Sequence, residues 1–145
     1  MSKVAVVTGG AGGIGQAVAE RFAQHGCCIM LLDVNAQSGN QVAAALLRRG
    51  AETAFFPIDL TQESEVQAIF ERIVAAYRRI DVLVNVAGGS LHRHPLATFP
   101  LSHWRAVIDA NLTSTFLSAA QQLRRWPRKK VALSSTSHLT SHSAA

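Results

Sequence analysis

One short apolar run, Val4 to Val7, leads into Thr8-Gly9-Gly10-Ala11-Gly12-Gly13-Ile14-Gly15, and a helical pattern begins at once. No other stretch restricts the fold as much. A strand that turns through clustered glycines into a helix lets backbone approach a ligand closely, and the helix N-terminus offers it free N–H groups and a positive dipole end. A turn of this kind receives a negative group, a pyrophosphate in particular. Two glycine strings overlap in it, G-x-G-x-x-G at Gly10, Gly12 and Gly15 and G-x-x-x-G-x-G at Gly9, Gly13 and Gly15. A loop that merely turns tightly from strand to helix is the alternative for the same residues.

The rest of the chain repeats the alternation of short apolar runs with helical patterns, which marks βαβ units and a parallel sheet covered on both faces. Strands are expected near Val4 to Val7, Cys28 to Leu32, Thr53 to Pro57, Val82 to Asn85 and Val131 to Leu133, and helices near Ile14 to His25, Ala36 to Arg49, Ser64 to Tyr77 and Ser102 to Ala120. In the third helix Val66, Ile69, Phe70, Ile73, Val74 and Tyr77 form one apolar stripe, with Thr61 and Ser64 as candidate N-caps. The fold expected is α/β, an incomplete doubly wound parallel sheet of about five strands in the order 3-2-1-4-5, with ligands at the strands' carboxyl ends. Without further strands and helices such a sheet leaves apolar edges exposed, which favours association.

At 145 residues and 48% hydrophobic content the chain is one domain with a real core, and disorder throughout is excluded. No apolar run has the roughly 20 residues of a membrane helix, and Lys3 stands directly before the first strand, so neither a membrane span nor a signal peptide is expected. Cys27 and Cys28 are neighbours, which suits a reducing, cytoplasmic setting rather than a disulfide framework, and both are read as core. The net charge of +5 is uneven: Arg124, Arg125, Arg128, Lys129 and Lys130 lie after residue 120 with no acid among them, leaving nine bases against nine acids before it. Residues 1–120 are thus read as a neutral nucleotide-binding region and 121–145 as a basic, Ser- and His-rich, partly disordered tail with one candidate strand. A nucleic-acid partner is not expected from basicity confined to a tail. His92, His94 and His103 lack a completing Cys or Asp and are read as loop histidines, so no metal site is expected.

Asp33 closes the second strand 18 residues after Gly15, where a carboxylate can accept from the two hydroxyls of an adenosine ribose and repel a 2′-phosphate. NAD is therefore expected over NADP. Capping the next helix is the competing role for Asp33, as Asn35 could also do. Asn111 falls within the apolar pattern of Trp104, Val107, Ile108 and Leu112, and a buried amide there needs partners. Those partners could be backbone alone.

Thr8 to Gly15, Asp33, Asp59-Leu60, Asn85-Val86-Ala87-Gly88 and Asn111, in this order, make the chain resemble the short-chain dehydrogenase/reductase family over about residues 3–120. The resemblance implies a Rossmann-type fold and an NAD-dependent oxidoreductase that moves a hydride between nicotinamide and a small alcohol or ketone, commonly as an oligomer. It assigns Thr8, Gly9, Gly13, Ile14 and Gly15 to the phosphate turn, and Asp59 with the Leu60 backbone to adenine. Asn85, Ala87 and Gly88 would shape the fourth strand's end, where Val86 departs from the usual N-N-A-G. Helix capping for Asp59 and a turn for Asn85 are the competing roles. Asn111 would hold a water in the proton relay. Ser135 would match the second serine of the fifth strand, which orients substrate, although Ala132 stands where an Asn is usual.

The family's Tyr-x-x-x-Lys pair is absent: the single tyrosine is Tyr77, with Asp81 four residues on. That pair supplies the general acid, a phenol whose pKa is lowered from about 10 by the lysine. A slip of the reading frame near residue 120 would account for this absence and for the basic tail together, because Val131 to Leu139 permits a shifted Gly-Ala-Ile-Ile-Asn-Ile-Ser-Ser. On that expectation the chain is a catalytically impaired part of a dehydrogenase; the competing class is a non-catalytic NAD-binding or partner-binding protein.

Overall fold

The computed structural model describes residues 2–90 and 95–125. Four parallel strands, β1 (Val4–Thr8), β2 (Cys28–Asp33), β3 (Thr53–Pro57) and β4 (Val82–Asn85), pair in the order β3-β2-β1-β4. This matches the expected order; the proposed fifth strand, Ser135, His92 and His94 lie outside the described residues. β1 reads as an unbroken apolar run because it is central, with Thr8 in register with Leu32 on one side and Asn85 on the other.

The pleat divides the core in two. Val4, Val6, Met30 and Leu32 face α3 (Glu63–Tyr77), whose Val66, Ile69, Phe70 and Ile73 are buried as the stripe predicts. Ala5, Val7, Ile29 and Leu31 face Ala19 of α1 (Gly13–Gln24) and Val42, Ala43 and Leu46 of α2 (Ala36–Arg48). Cys27 and Cys28 are free thiols buried on opposite sides of the sheet. Burial pushes the Cys28 thiol up to about 11, so it stays protonated and unreactive.

Two helix starts differ in kind. Asn35 caps α2 by accepting from the Ser38 N–H at 3.0 Å. At α3 neither Thr61 nor Ser64 caps: Gln62 stands at the N-cap without a side-chain bond, and the Thr61 hydroxyl is spent on Asp59. Gly39 of α2 is needed for close approach, since a Cβ there would collide with the edge of the Phe55 ring of β3. Helix propensity alone favours Gly39→Ala by about 1 kcal/mol, whereas forcing carbon into a filled contact costs roughly 1–3 kcal/mol. Net destabilisation of about 1–2 kcal/mol is expected in urea unfolding; a variant more stable than wild type would mean that Phe55 swings aside freely.

Asp81 joins the sheet's two halves at their amino ends. Its carboxylate accepts from the Val4 N–H at 2.8 Å and from both arms of Arg79, and its own N–H donates to the Val4 carbonyl at 2.9 Å. Burial opposes the charge, but the Arg79 and Val4 hydrogen bonds and the Arg79 and Lys3 charges outweigh it and hold the carboxyl below its usual value. A lowered pKa stabilises the fold above the unfolded-state value near 3.8 and loses that contribution as pH falls through the folded-state value. Asp81→Asn is therefore expected to flatten the acid side of a stability-versus-pH curve below about pH 4; an unchanged acid limb would assign the loss to other carboxylates.

The long helix predicted over Ser102 to Ala120 is three pieces: α4 (Leu101–Ile108), one wide π-helical turn (Asp109–Thr113) and α5 (Ser114–Arg125). The expected apolar stripe does not face the core. Trp104 is 51% and Leu112 62% exposed, and the buried face of α5 instead carries Ser114, Leu117, Ser118, Gln121 and Gln122. Gln122 crosses to β4's approach, donating to the Ile80 carbonyl at 3.0 Å. No helix among the described residues is long and apolar enough to cross a membrane.

Candidate nucleotide site

The carboxyl ends of all four strands open into one cavity of about 400 Å³. Nine of the eleven residues that the sequence assigns to a cofactor line it, Gly9, Gly13, Ile14, Gly15, Asp33, Asp59, Leu60, Ala87 and Gly88, with Gly12 and Val86 beside them. Val34, Ile58, Thr61, Ala110 and Ser114 also line it and were not anticipated. Their signal was position: Val34 and Ile58 each follow the last residue of a strand.

The turn before α1 is built by backbone proximity. Gly9 has φ +67°, and a Cβ on it would lie 2.7 Å from the Ala87 nitrogen; a Cβ on Gly15 would collide with the Gly9 carbonyl. The Gly10 N–H goes to the Leu32 carbonyl at 3.3 Å, Ala11 to Asp33 Oδ2 at 3.0 Å and Gly12 to the Gly9 carbonyl at 3.1 Å. The Gln16 N–H closes on Gly12 at 2.8 Å, so Gly13, Ile14 and Gly15 supply the N–H groups that no preceding helical turn can accept. All three line the cavity, and Ile14 is 72% exposed there.

Asp33 reaches the cavity with both oxygens already anchored, Oδ2 by Ala11 and Oδ1 by the Asn35 N–H at 2.9 Å. A carboxylate has about four acceptor positions, so two remain for a vicinal pair of hydroxyls. Asp33 does not cap α2; Asn35 does. Asp59 turns the chain after β3: its Oδ1 accepts from the Thr61 N–H at 2.9 Å and hydroxyl at 2.7 Å, and these bonds hold the carboxyl below its usual range. The side chain that the sequence offered to adenine is thus engaged in a local turn, while Leu60 is buried behind it.

Thr8 and Asn85 sit behind the cavity wall. The Thr8 hydroxyl, 1% exposed, accepts from the Val86 N–H at 3.1 Å and the Ala87 N–H at 3.2 Å and so fixes the chain leaving β4. Asn85 Oδ1 is buried without a hydrogen-bond partner. Asn111 is exposed rather than buried, and its amide is consumed by backbone: Oδ1 accepts from the Gly89 N–H at 2.9 Å, and Nδ2 donates to the Gly89 carbonyl at 3.0 Å and the Val107 carbonyl at 2.8 Å. It fastens the loop after β4 to the π turn. Gly88 is required beside it, with φ +142° and a would-be Cβ 2.5 Å from Asn111 Oδ1. The loosened carbonyls of Ala110 and Asn111 are taken by the Ser114 and Thr115 hydroxyls at 2.7 and 2.8 Å.

The donors and acceptors fit a dinucleotide: a row of amides for a pyrophosphate, a fixed carboxylate for a ribose, and apolar Val34 and Ile58 beside a space for a base. Comparison with known proteins agrees. The family model for short chain dehydrogenase matches residues 3–133. Cis-4-hydroxycyclohexanecarboxylate dehydrogenase of Sinomonas cyclohexanicum is 38% identical over 122 residues, 84% of this chain and 49% of that protein. The NAD⁺-bound xylitol dehydrogenase structure superposes with a TM-score of 0.82 at 32% identity, over 85% of this chain and 47% of that one. A metagenomic short-chain oxidoreductase in complex with NADP gives 0.81 at 31% identity, over 86% and 57%. The chain spans about half the length of the curated relatives it matches. With its glycine turn, its strand order and these likenesses in agreement, the chain belongs to the short-chain dehydrogenase family of oxidoreductases, which bind nicotinamide cofactors.

Proposed function

We propose that this chain is the NAD-binding half of an oxidoreductase that acts on a small alcohol or ketone. The single observation that carries the choice of NAD is Asp33, a carboxylate anchored at two points on the cavity wall. A 2′-phosphate brought to it would meet a fixed negative charge, and among the described residues that line the cavity none is Lys or Arg. The amides of Gly13, Ile14 and Gly15 would hold the pyrophosphate, and Asp33 the adenosine ribose. The bound nicotinamide supplies the hydride acceptor or donor. The Asn111 clamp on Gly89 sets the loop that follows β4, and so positions the cavity wall formed by Ala87 and Gly88.

The one tyrosine of these 145 residues, Tyr77, belongs to α3 and packs against the core, so it offers no phenol to the cavity. Titration of the purified chain with NADH and NADPH is expected to show binding of NADH at least about tenfold tighter, a factor that corresponds to 1.4 kcal/mol. Carbonyl reduction by NADH is expected to fall short of ordinary rates by at least the roughly 10²–10⁴-fold that a general acid provides. Equal or reversed affinities would overturn the NAD assignment, and ordinary turnover would overturn the missing-acid reading. NADH binding without any turnover would instead support a second reading, a non-catalytic NAD-binding protein.

A further inference from the structure

Resting on the dinucleotide reading, we propose that Asp33 is also the positioning residue of the phosphate turn, holding it in shape through the Ala11 N–H before any ribose arrives. A turn this rich in glycine loses much conformational freedom when fixed, so its shape depends on the bonds that pin it. Three backbone donors at its tip are pinned, those of Gly10, Ala11 and Gly12. The Gly10 bond is long at 3.3 Å and the Gly12 bond closes only on the turn's own Gly9. Ala11 alone is held by a charged acceptor, at 3.0 Å, and charge-assisted bonds are roughly twice as strong as neutral ones. That acceptor does not wander. Asp33 Oδ1 is tied to the Asn35 N–H, and Asn35 in turn caps α2 through Ser38, so the turn is braced against the start of α2.

This brace makes a prediction whose sign separates it from simple ribose recognition. If Asp33 only reads the ribose, removing its negative charge leaves a free pyrophosphate bound equally well or better, because one repelling charge has gone. If Asp33 braces the turn, the same change loosens the amides and weakens pyrophosphate although the repulsion is relieved.

The test is backbone amide exchange together with inorganic pyrophosphate and NADH titrations on the wild-type chain, Asp33→Ala and Asp33→Ser, neither of which keeps an acceptor that reaches the Ala11 N–H, with the Val6 and Leu31 amides as internal controls of folding. Expected are slow exchange at Ala11 in the ligand-free wild type, exchange about tenfold or more faster in both variants, and pyrophosphate affinity several-fold lower, with the controls unchanged. Fast Ala11 exchange in the wild type overturns the proposal by itself, even if neither variant folds. So does a variant with unchanged Ala11 exchange, or with pyrophosphate affinity equal to or above wild type. A wild-type chain that binds pyrophosphate but not NADH would overturn the dinucleotide reading and leave the brace standing.

Discussion

Gly15→Ala is expected to abolish NADH binding and to destabilise the chain by about 3 kcal/mol, near the upper end for an overpacked site. Helix propensity predicts the reverse, since Gly15 is the third residue of α1 and alanine there gains about 1 kcal/mol. Packing decides, because a Cβ would be driven against the Gly9 carbonyl and would come within 3.0 Å of the Gly10 Cα. Both obstacles are backbone, and Gly9 cannot retreat because it lies against Ala87. The helix start must therefore shift away from the turn, which moves the Gly13 and Ile14 amides that face the cavity. Nucleotide titration and urea unfolding on the same preparation check both halves. Wild-type NADH affinity in this variant would mean that the turn opens without cost and that the phosphate is held elsewhere.

What could be read from the sequence was whatever depends on neighbours along the chain. The strand, glycines and helix from Val4 to Gln24 form one local unit, and the α3 stripe from Val66 to Ile73 follows a regular helical period. Both stand in the structure as the residues predict. The helical region beyond Leu101 misled because its period is interrupted. A π turn inserts extra residues, so an apolar pattern counted through Asp109–Thr113 no longer reports one face. The true inner face of α5 is largely Ser and Gln, and their burial depends on partners such as Ile80 that lie 42 residues away. The apolar pattern predicts a buried Asn111, yet it is exposed and matters through bonds to Gly89 that no helical pattern could show. The position of Asp33 at a strand end predicts a ribose acceptor, while its hold on Ala11 arises only from tertiary contact across 22 residues.

Thr8 is the strongest case of such a distant role, because nothing local distinguishes its hydroxyl from any other at a strand end. Its oxygen accepts from Val86 and Ala87, 78 and 79 residues away, and is the strut between β1 and the segment that forms the cavity's far wall. Thr8→Val keeps the shape and has at least the β propensity of threonine, so contacts and propensity alone predict a neutral change. It leaves two amides without their acceptor, at roughly 1–3 kcal/mol each when buried. Val86 and Ala87 are half-buried, which places the expected loss at about 2–3 kcal/mol, with NADH affinity down about tenfold as the wall at Ala87 and Gly88 loosens. Thr8→Ser keeps the oxygen and gives up one methyl, worth about 1 kcal/mol. Serine is therefore expected to be the more stable variant and the tighter NADH binder, although valine fills the space better. Urea unfolding of the two variants side by side decides it: if valine equals wild type and serine is the weaker, Thr8 serves as packing and the chain after β4 is held by something other than its hydroxyl.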